Sequence, residues 1–155
     1  MVTRIISGGQ TGGDQGGLAA GVTLGLSTGG WAPRGWKTET GVEKELLRGL
    51  GLMEYQTWGY PPRTKANIRD SDGTFLIGNP SSAGSRLTDT EAKRRGKPLY
   101  LLVTEPNRDL TRHVGPFREW LREHRIRVLN VAGNRESVAP GLAQTTHDFL
   151  VAALG

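Results

Sequence analysis

Four short segments carry residue types and spacings that can do chemistry. The first is Ser7-Gly8-Gly9-Gln10-Thr11-Gly12-Gly13-Asp14, set between an apolar run and a stretch of small residues. A Gly-rich loop that leads into a helix offers free backbone N–H groups and the positive end of the helix dipole, which together hold an anion. Gln10 and Thr11 add side-chain donors. The segment is neither a Walker A loop nor a full Gly-x-Gly-x-x-Gly fingerprint. A tight strand-to-helix turn with Asp14 as its cap is the alternative reading.

The second segment runs from Thr64 to Thr74 and contains Asn67, Asp70 and Asp72. Two carboxylates two residues apart can hold a ribose-like hydroxyl or Mg²⁺. Asp72-Gly73 is also an ordinary turn pair. The third, Asn79 to Thr88, joins a strand pattern to a helix start through Ser82, Gly84 and Ser85. It reads either as a second phosphate cradle or as a plain Ser85 N-cap. The fourth, Asn130 to Ser137, contains Arg135 and Glu136. Arg135 can clamp a phosphate or carboxylate, and an Arg–Glu pair on a surface loop is the alternative. Asp70, Asp72 and Glu91 are the carboxylates available for acid–base work. Trp31 is placed to stack on a planar ring or to pack against its neighbours.

These segments need elements to position them. Residues 4–7, 26–30, 74–77, 98–103 and 127–131 read as strands. Helices are expected from Asp14 to about residue 24, over 42–48, over 64–69, from Ser85 to about 95, then one with Pro116 in its first turn, and a last one from near Pro140 onward. Residues 53–62 read as irregular. Val114, Phe117 and Leu121 give one buried stripe, and Leu142, Phe149, Leu150 and Leu154 another. Lys93-Arg94-Arg95-Gly96-Lys97 falls where cations complement a helix end. Strand alternates with helix about five times. That predicts α/β architecture: one Rossmann-like domain over residues 1–155, with an open, mostly parallel sheet of about five or more strands and helices on both faces. Ligands of such sheets bind beyond the carboxyl ends of the strands. The loops after residues 7, 77 and 131 therefore matter most.

Composition narrows the function classes. The 155 residues include 23 glycines and no cysteine. Fourteen of those glycines precede residue 52. Such clustering points to tight backbone geometry and to backbone lying close to a ligand. Without cysteine there are no disulfides, thiolate metal sites or cysteine nucleophiles. His113, His124 and His147 lack metal-ligand spacing, so no protein-held metal is expected. No apolar run is long enough to span a bilayer, and the start lacks a signal-peptide pattern. A cytoplasmic protein with no membrane partner is expected. Net charge is +5, with the excess in the second half. Most cations alternate with acids, as on solvated helix faces. No nucleic-acid recognition motif accompanies them, so nucleic acid is not the expected partner.

Taken in order, Ile-Ser-Gly-Gly-Gln-Thr-Gly, Gly-Gly-Trp-x-Pro, Asn-x-Arg-Asp-Ser-Asp-Gly-Thr and Leu-Asn-Val-Ala-Gly-x-Arg-Glu-Ser resemble the molybdenum carrier family. The resemblance spans almost the whole chain. That family is related to the cytokinin-activating phosphoribohydrolases and to nucleotide-sensing domains. The resemblance implies an open α/β sheet that binds a phosphorylated small molecule, in a homo-oligomer. The implied cargo is molybdenum cofactor or another phosphorylated pterin or nucleotide. Carried over by motif, the ligand loop is Gly8, Gly9, Gln10, Thr11 and Gly12, with Asp14 behind it. Asn67, Asp70 and Asp72 follow, then Gly84, Ser85 and Thr88, then Arg135 and Glu136. Three positions depart from the pattern. Gly13 stands where the family has Val, and Ser85 where it has Thr. Thr88 stands where the phosphoribohydrolases have their catalytic Glu, and Thr cannot serve as that carboxylate. The expectation is a non-catalytic binder or carrier, with a nucleotide-processing enzyme or a nucleotide-signal receptor as the alternative.

Overall fold

The computed structural model describes residues 1–155. In chain order the elements are β1 (Arg4–Ile6), α1 (Gly13–Thr23), β2 (Ser27–Ala32), β3 (Lys37–Thr38), β4 (Gly41–Val42), α2 (Lys44–Gly49) and β5 (Leu52–Glu54). They continue with α3 (Tyr60–Arg69), β6 (Gly73–Gly78), α4 (Ala83–Arg94), β7 (Leu99–Val103), α5 (Thr111–Glu123), β8 (Val128–Gly133) and α6 (Leu142–Leu154). Six strands form one sheet in the order β5-β2-β1-β8-β6-β7. Every pairing in it is parallel. β3 and β4 form a separate antiparallel hairpin. The α/β, Rossmann-like expectation is met. No helix is long and apolar enough to cross a membrane.

Strand residues alternate between the two faces of a sheet, and here the faces differ in kind. Ile5, Phe75, Ile77, Leu129 and Val131 turn toward one side and join Phe117, Leu142, Phe149 and Leu150 in a core of 15 buried residues. Phe75 is its centre, with ring centroids 4.9 Å from Phe117 and 5.4 Å from Phe149. The alternate residues Leu76, Asn130 and Ala132 turn the other way and line a cavity beneath α3 and α4. The register pairs Leu76 with Ala132 and Thr74 with Asn130. One face is thus closed by aromatics, and the other leaves room for a cavity with Leu76, Asn130 and Ala132 at its base.

Much of the glycine excess belongs to packing. A Cβ on Gly17 would come within 2.6 Å of the Val131 side chain, and one on Gly16 within 2.4 Å of the Ala143 carbonyl oxygen. α1 therefore lies directly on β8 and α6, closer than side chains allow.

Several expected boundaries move. Residues 53–62 are not irregular throughout: β5 ends there at Glu54 and α3 begins at Tyr60. A three-residue edge strand held by backbone pairing to β2 has no apolar period to reveal it. α3 starts four residues before the expected Thr64 because its two prolines sit in the first turn, where the missing N–H groups cost nothing. Pro116 is inside α5, beyond its first turn. Gly115 before it carries no Cβ for the proline ring to crowd. β2 runs on to Ala32. Leu154 is half-buried at the edge of the core.

Candidate functional site

A cavity of about 440 Å³ opens at the carboxyl ends of β1, β6 and β8, between α3 and α4. Its floor is Leu76, Asn130 and Ala132, and Gly8, Gln10, Asp14 and Asn134 form one wall. The opposite wall is the start of α4, from Ser82 to Thr88. Tyr60, Pro61, Arg63, Thr64 and Asn67 of α3 close the third side. Arg135 and Val138 stand on the loop after β8.

The Gly-rich loop reaches this cavity, but most of its backbone donors are already engaged. Gly9 N–H donates to Ser7 Oγ at 3.1 Å, and Thr11 N–H donates to Gln10 Oε1 at 3.0 Å. Gln10 N–H donates to Asp14 Oδ2 at 3.3 Å, and Gly13 N–H to the Asn134 carbonyl at 3.1 Å. The anion inside this turn is therefore the protein's own carboxylate, Asp14. Gly12, not Asp14, is the N-cap of α1, and it holds a positive φ of 78°. Thr11 Oγ1 donates to the Glu39 carboxylate and accepts from Glu136 N–H at 3.1 Å. Glu39 N–H donates to Gln10 Oε1 at 3.0 Å, so the β3–β4 hairpin is latched to the loop by the side chains expected to face a ligand.

The start of α4 is different. Ser82 is its N-cap and accepts from Ser85 N–H at 3.2 Å. Helix geometry leaves the Ala83 and Gly84 N–H groups without intrahelical partners. A Cβ on Gly84 would meet nothing within 4 Å. This helix start is open to the cavity, and its dipole favours negative charge there.

Arg63 is the residue that motif reading passed over. It is 9% exposed, and its Nε is buried without a hydrogen-bond partner. Its nearest carboxylate is Asp14 Oδ2, 3.7 Å from Nη1 and beyond hydrogen-bond range. The guanidinium lies against the backbone of Gly8, where a Cβ would sit 1.7 Å from Nη1. It also lies over the Tyr60 ring at 5.4 Å. A buried guanidinium with unmet donors is costly, and a bound anion would satisfy it. Burial pushes Asp14 up to about 6, against the pull of Arg63 and of the backbone N–H groups of Gln10, Gly133 and Gly8. Pro61 and Pro62 were the available signal, since prolines at a helix start place the next residue on the first turn.

The remaining expected residues divide. Gly8, Gln10, Asp14, Asn67, Gly84, Ser85, Thr88 and Arg135 line the cavity. Asn67 does so as a brace: its amide accepts from Trp31 N–H at 2.8 Å and donates to the Trp31 carbonyl at 3.1 Å. Asn134 braces the other side in the same way against Asn79. Thr88 Oγ1 donates back to the Gly84 carbonyl. Gly9, Thr11 and Gly12 shape the loop from behind.

Four carboxylates are placed elsewhere. Asp72 Oδ2 accepts from the N–H groups of Arg127 and Val128 and ties the start of β8 to that of β6. Asp70 accepts from Trp31 Nε1 at 2.7 Å and pairs with Arg69 at 2.8 Å, beside a separate cleft of about 160 Å³. Glu91 is held by Arg94 and Arg95 at 2.6 and 2.8 Å. Their hydrogen bonds, led by Arg94, bring it down to about 2. Glu136 accepts from Gly141 and Ala143 N–H groups and caps α6. The expected acid–base carboxylates thus lie outside the cavity because each completes a local structural bond. Trp31 packs edge-on against Tyr55 at 5.4 Å and lines the same separate cleft. No group of three or more His, Asp or Glu side chains is placed to hold a metal ion.

The topology records where the chain begins relative to the sheet. Counted from β8 instead of β1, the order β5-β2-β1-β8-β6-β7 becomes a doubly wound 4-3-2-1-5-6. The family model for the circularly permuted YpsA SLOG family matches residues 5–154. The chain belongs to that family. Its fold is similar to the crystal structure, at 1.45 Å resolution, of the Putative molybdenum carrier protein from Syntrophus aciditrophicus SB. The two are 36% identical, the match covers 99% of this chain and 96% of the other, and the TM-score is 0.84. Comparison with curated proteins returns no match. The expected resemblance is borne out. In the unpermuted count the strand order reverses between β8 and β6, and the cavity lies over that switch point, where doubly wound sheets bind ligands.

Proposed function

We propose that this SLOG-family chain is a non-catalytic binder of a phosphorylated small molecule, molybdenum cofactor or a related phosphorylated pterin or nucleotide. It would act in the cytoplasm as a homo-oligomer. One observation carries the reading: Arg63, buried with an unmet donor, lines the same cavity as the open start of α4. A phosphate set between them would satisfy Arg63 and take the Ala83 and Gly84 N–H groups. Tyr60, Pro61, Leu87 and Val138 offer apolar surface for a planar ring. The volume suits a ligand of small-molecule size. The carrier name of the Syntrophus protein supports molybdenum cofactor as the cargo. The engagement of Asp70, Asp72 and Glu91 in structural bonds supports binding over turnover.

Mass spectrometry of small molecules released by denaturing gently purified protein tests the reading. The expected result is a phosphorylated pterin or nucleotide near one per chain, lost in Arg63→Ala. Arg63→Ala should lower affinity for that molecule at least about tenfold, the scale of a charged hydrogen bond. Equal retention by wild type and Arg63→Ala would contradict it.

A further inference from the structure

Asp14 is the one carboxylate in the cavity wall, and the site's charge depends on it. The groups that face it are few. Arg63 approaches from α3, and the backbone N–H groups of Gln10, Gly8 and Gly133 approach from its own loop and from the ends of β1 and β8. Tyr60 and Arg135 are the other titratable or charged side chains of the lining. Arg135 is half-exposed at the mouth and 3.9 Å from Glu39. Glu39 is not in the lining and is engaged by Thr11 and Ser137. With Asp14 ionised, the single buried guanidinium is already matched by one negative charge. A bound phosphate or sulfate would put a second negative charge on it, in a place with little solvent to screen either. A protonated Asp14 still offers an oxygen to Gln10 N–H, and it releases the charge of Arg63 to the ligand.

We propose that the cavity takes up its anion together with a proton on Asp14, so that Asp14 sets both the charge state in which the ligand is held and the pH at which it is let go. This rests on the reading that the cavity holds an anion. Burial already biases Asp14 toward its neutral form, with a midpoint near 6 in the free protein. A bound anion moves that midpoint further up. Binding then weakens as pH rises through neutrality, because the proton must be supplied from an ever more dilute source. Release is favoured on the alkaline side without any movement of the fold.

Inorganic sulfate on the full-length chain is the right probe, because its own charge is constant in this range. Two readings are taken between about pH 5 and about pH 8.5: the sulfate dissociation constant, and the Asp14 carboxyl carbon shift by NMR. The expected result is a dissociation constant that rises up to about tenfold per pH unit above neutrality. The Asp14 midpoint should move upward with sulfate, and Asp14→Asn should bind with no pH dependence in this window. Sulfate binding that is flat in pH, with an unmoved Asp14 midpoint, overturns the proton coupling and leaves the anion site standing. A pH dependence that persists in Asp14→Asn overturns the assignment to Asp14. No binding at any pH, in wild type and in Arg63→Ala alike, overturns both. The carboxyl shift is read on the wild-type protein, so the proposal does not depend on the folding of the variant.

Discussion

At the scale of single residues, internal bonding decides which side chains are left for the cavity. The Thr11 hydroxyl is spent on the Glu39 carboxylate and the Glu136 N–H, whereas Gln10 gives only its Oε1 to the Glu39 hairpin and keeps its Nε2 donor at the cavity wall. Sequence shows donor types, and only folding shows whether their bonds are spent. Asp72 illustrates the same point: its carboxylate is spent on two backbone N–H groups at the start of β8, more than fifty residues away, which the local Asp72-Gly73 pattern does not show. Arg63 was hidden because its meaning depends on burial, and nothing in Pro62-Arg63-Thr64 states that the guanidinium is covered. Asp14 has a consequence for stability as well as for binding. Its carboxyl is raised to about 6 in the fold, well above the unfolded value near 3.9. The folded state therefore holds the proton more tightly, and stability falls as pH rises between those values. The cost above pH 6 is on the order of 3 kcal/mol. Urea midpoints should rise as wild type is taken from about pH 7.5 to about pH 5, and Asp14→Asn should flatten the trend. The same trend in wild type and in Asp14→Asn would show Asp14 to be unperturbed. Glu91 works in the opposite direction but below this window, since Arg94 and Arg95 hold it down to about 2.

At the scale of elements, what was legible followed length and period. The central strand β6, the edge strand β7 and the amphipathic α5 were visible because apolar runs and a helical stripe repeat over several residues. β5 and the β3–β4 hairpin were not, being two or three residues long and defined by partners remote in sequence. The glycines of α1 were legible as a cluster but not as to purpose. They let a helix backbone lie on β8 and α6, whereas ligand approach accounts for few of them. Gly17→Ala should force Val131 aside and cost about 1–3 kcal/mol, which lowers the melting temperature by several degrees. Gly49→Ala, at the end of α2 with nothing within 4 Å, should be neutral or gain up to about 1 kcal/mol from helix propensity. Equal effects of the two substitutions in thermal melts would refute the packing role.

At the scale of the whole molecule, the two faces of the sheet divide the work. The Phe75–Phe117–Phe149 side supplies the core, so the α3–α4 side is free to stay hollow, with polar and apolar groups in one lining. Permutation leaves this division intact. Both ends of the chain lie at the amino edge of the sheet: Thr3 N–H pairs with the Arg127 carbonyl at the start of β8, and Gly155 approaches Leu24 at the end of α1. Moving the start of the chain from β8 to β1 therefore leaves the carboxyl edge, and the switch point between β8 and β6, untouched. The most direct measurement is a crystal structure of the full chain grown with a phosphorylated pterin or a nucleoside monophosphate. The expected result places the phosphate between the Arg63 guanidinium and the Ala83–Gly84 N–H groups, with the ring toward Tyr60 and Val138. A phosphate seated instead in the loop of Gly8 to Gly12 with Asp14 displaced, or a cavity empty at saturating ligand, would contradict it.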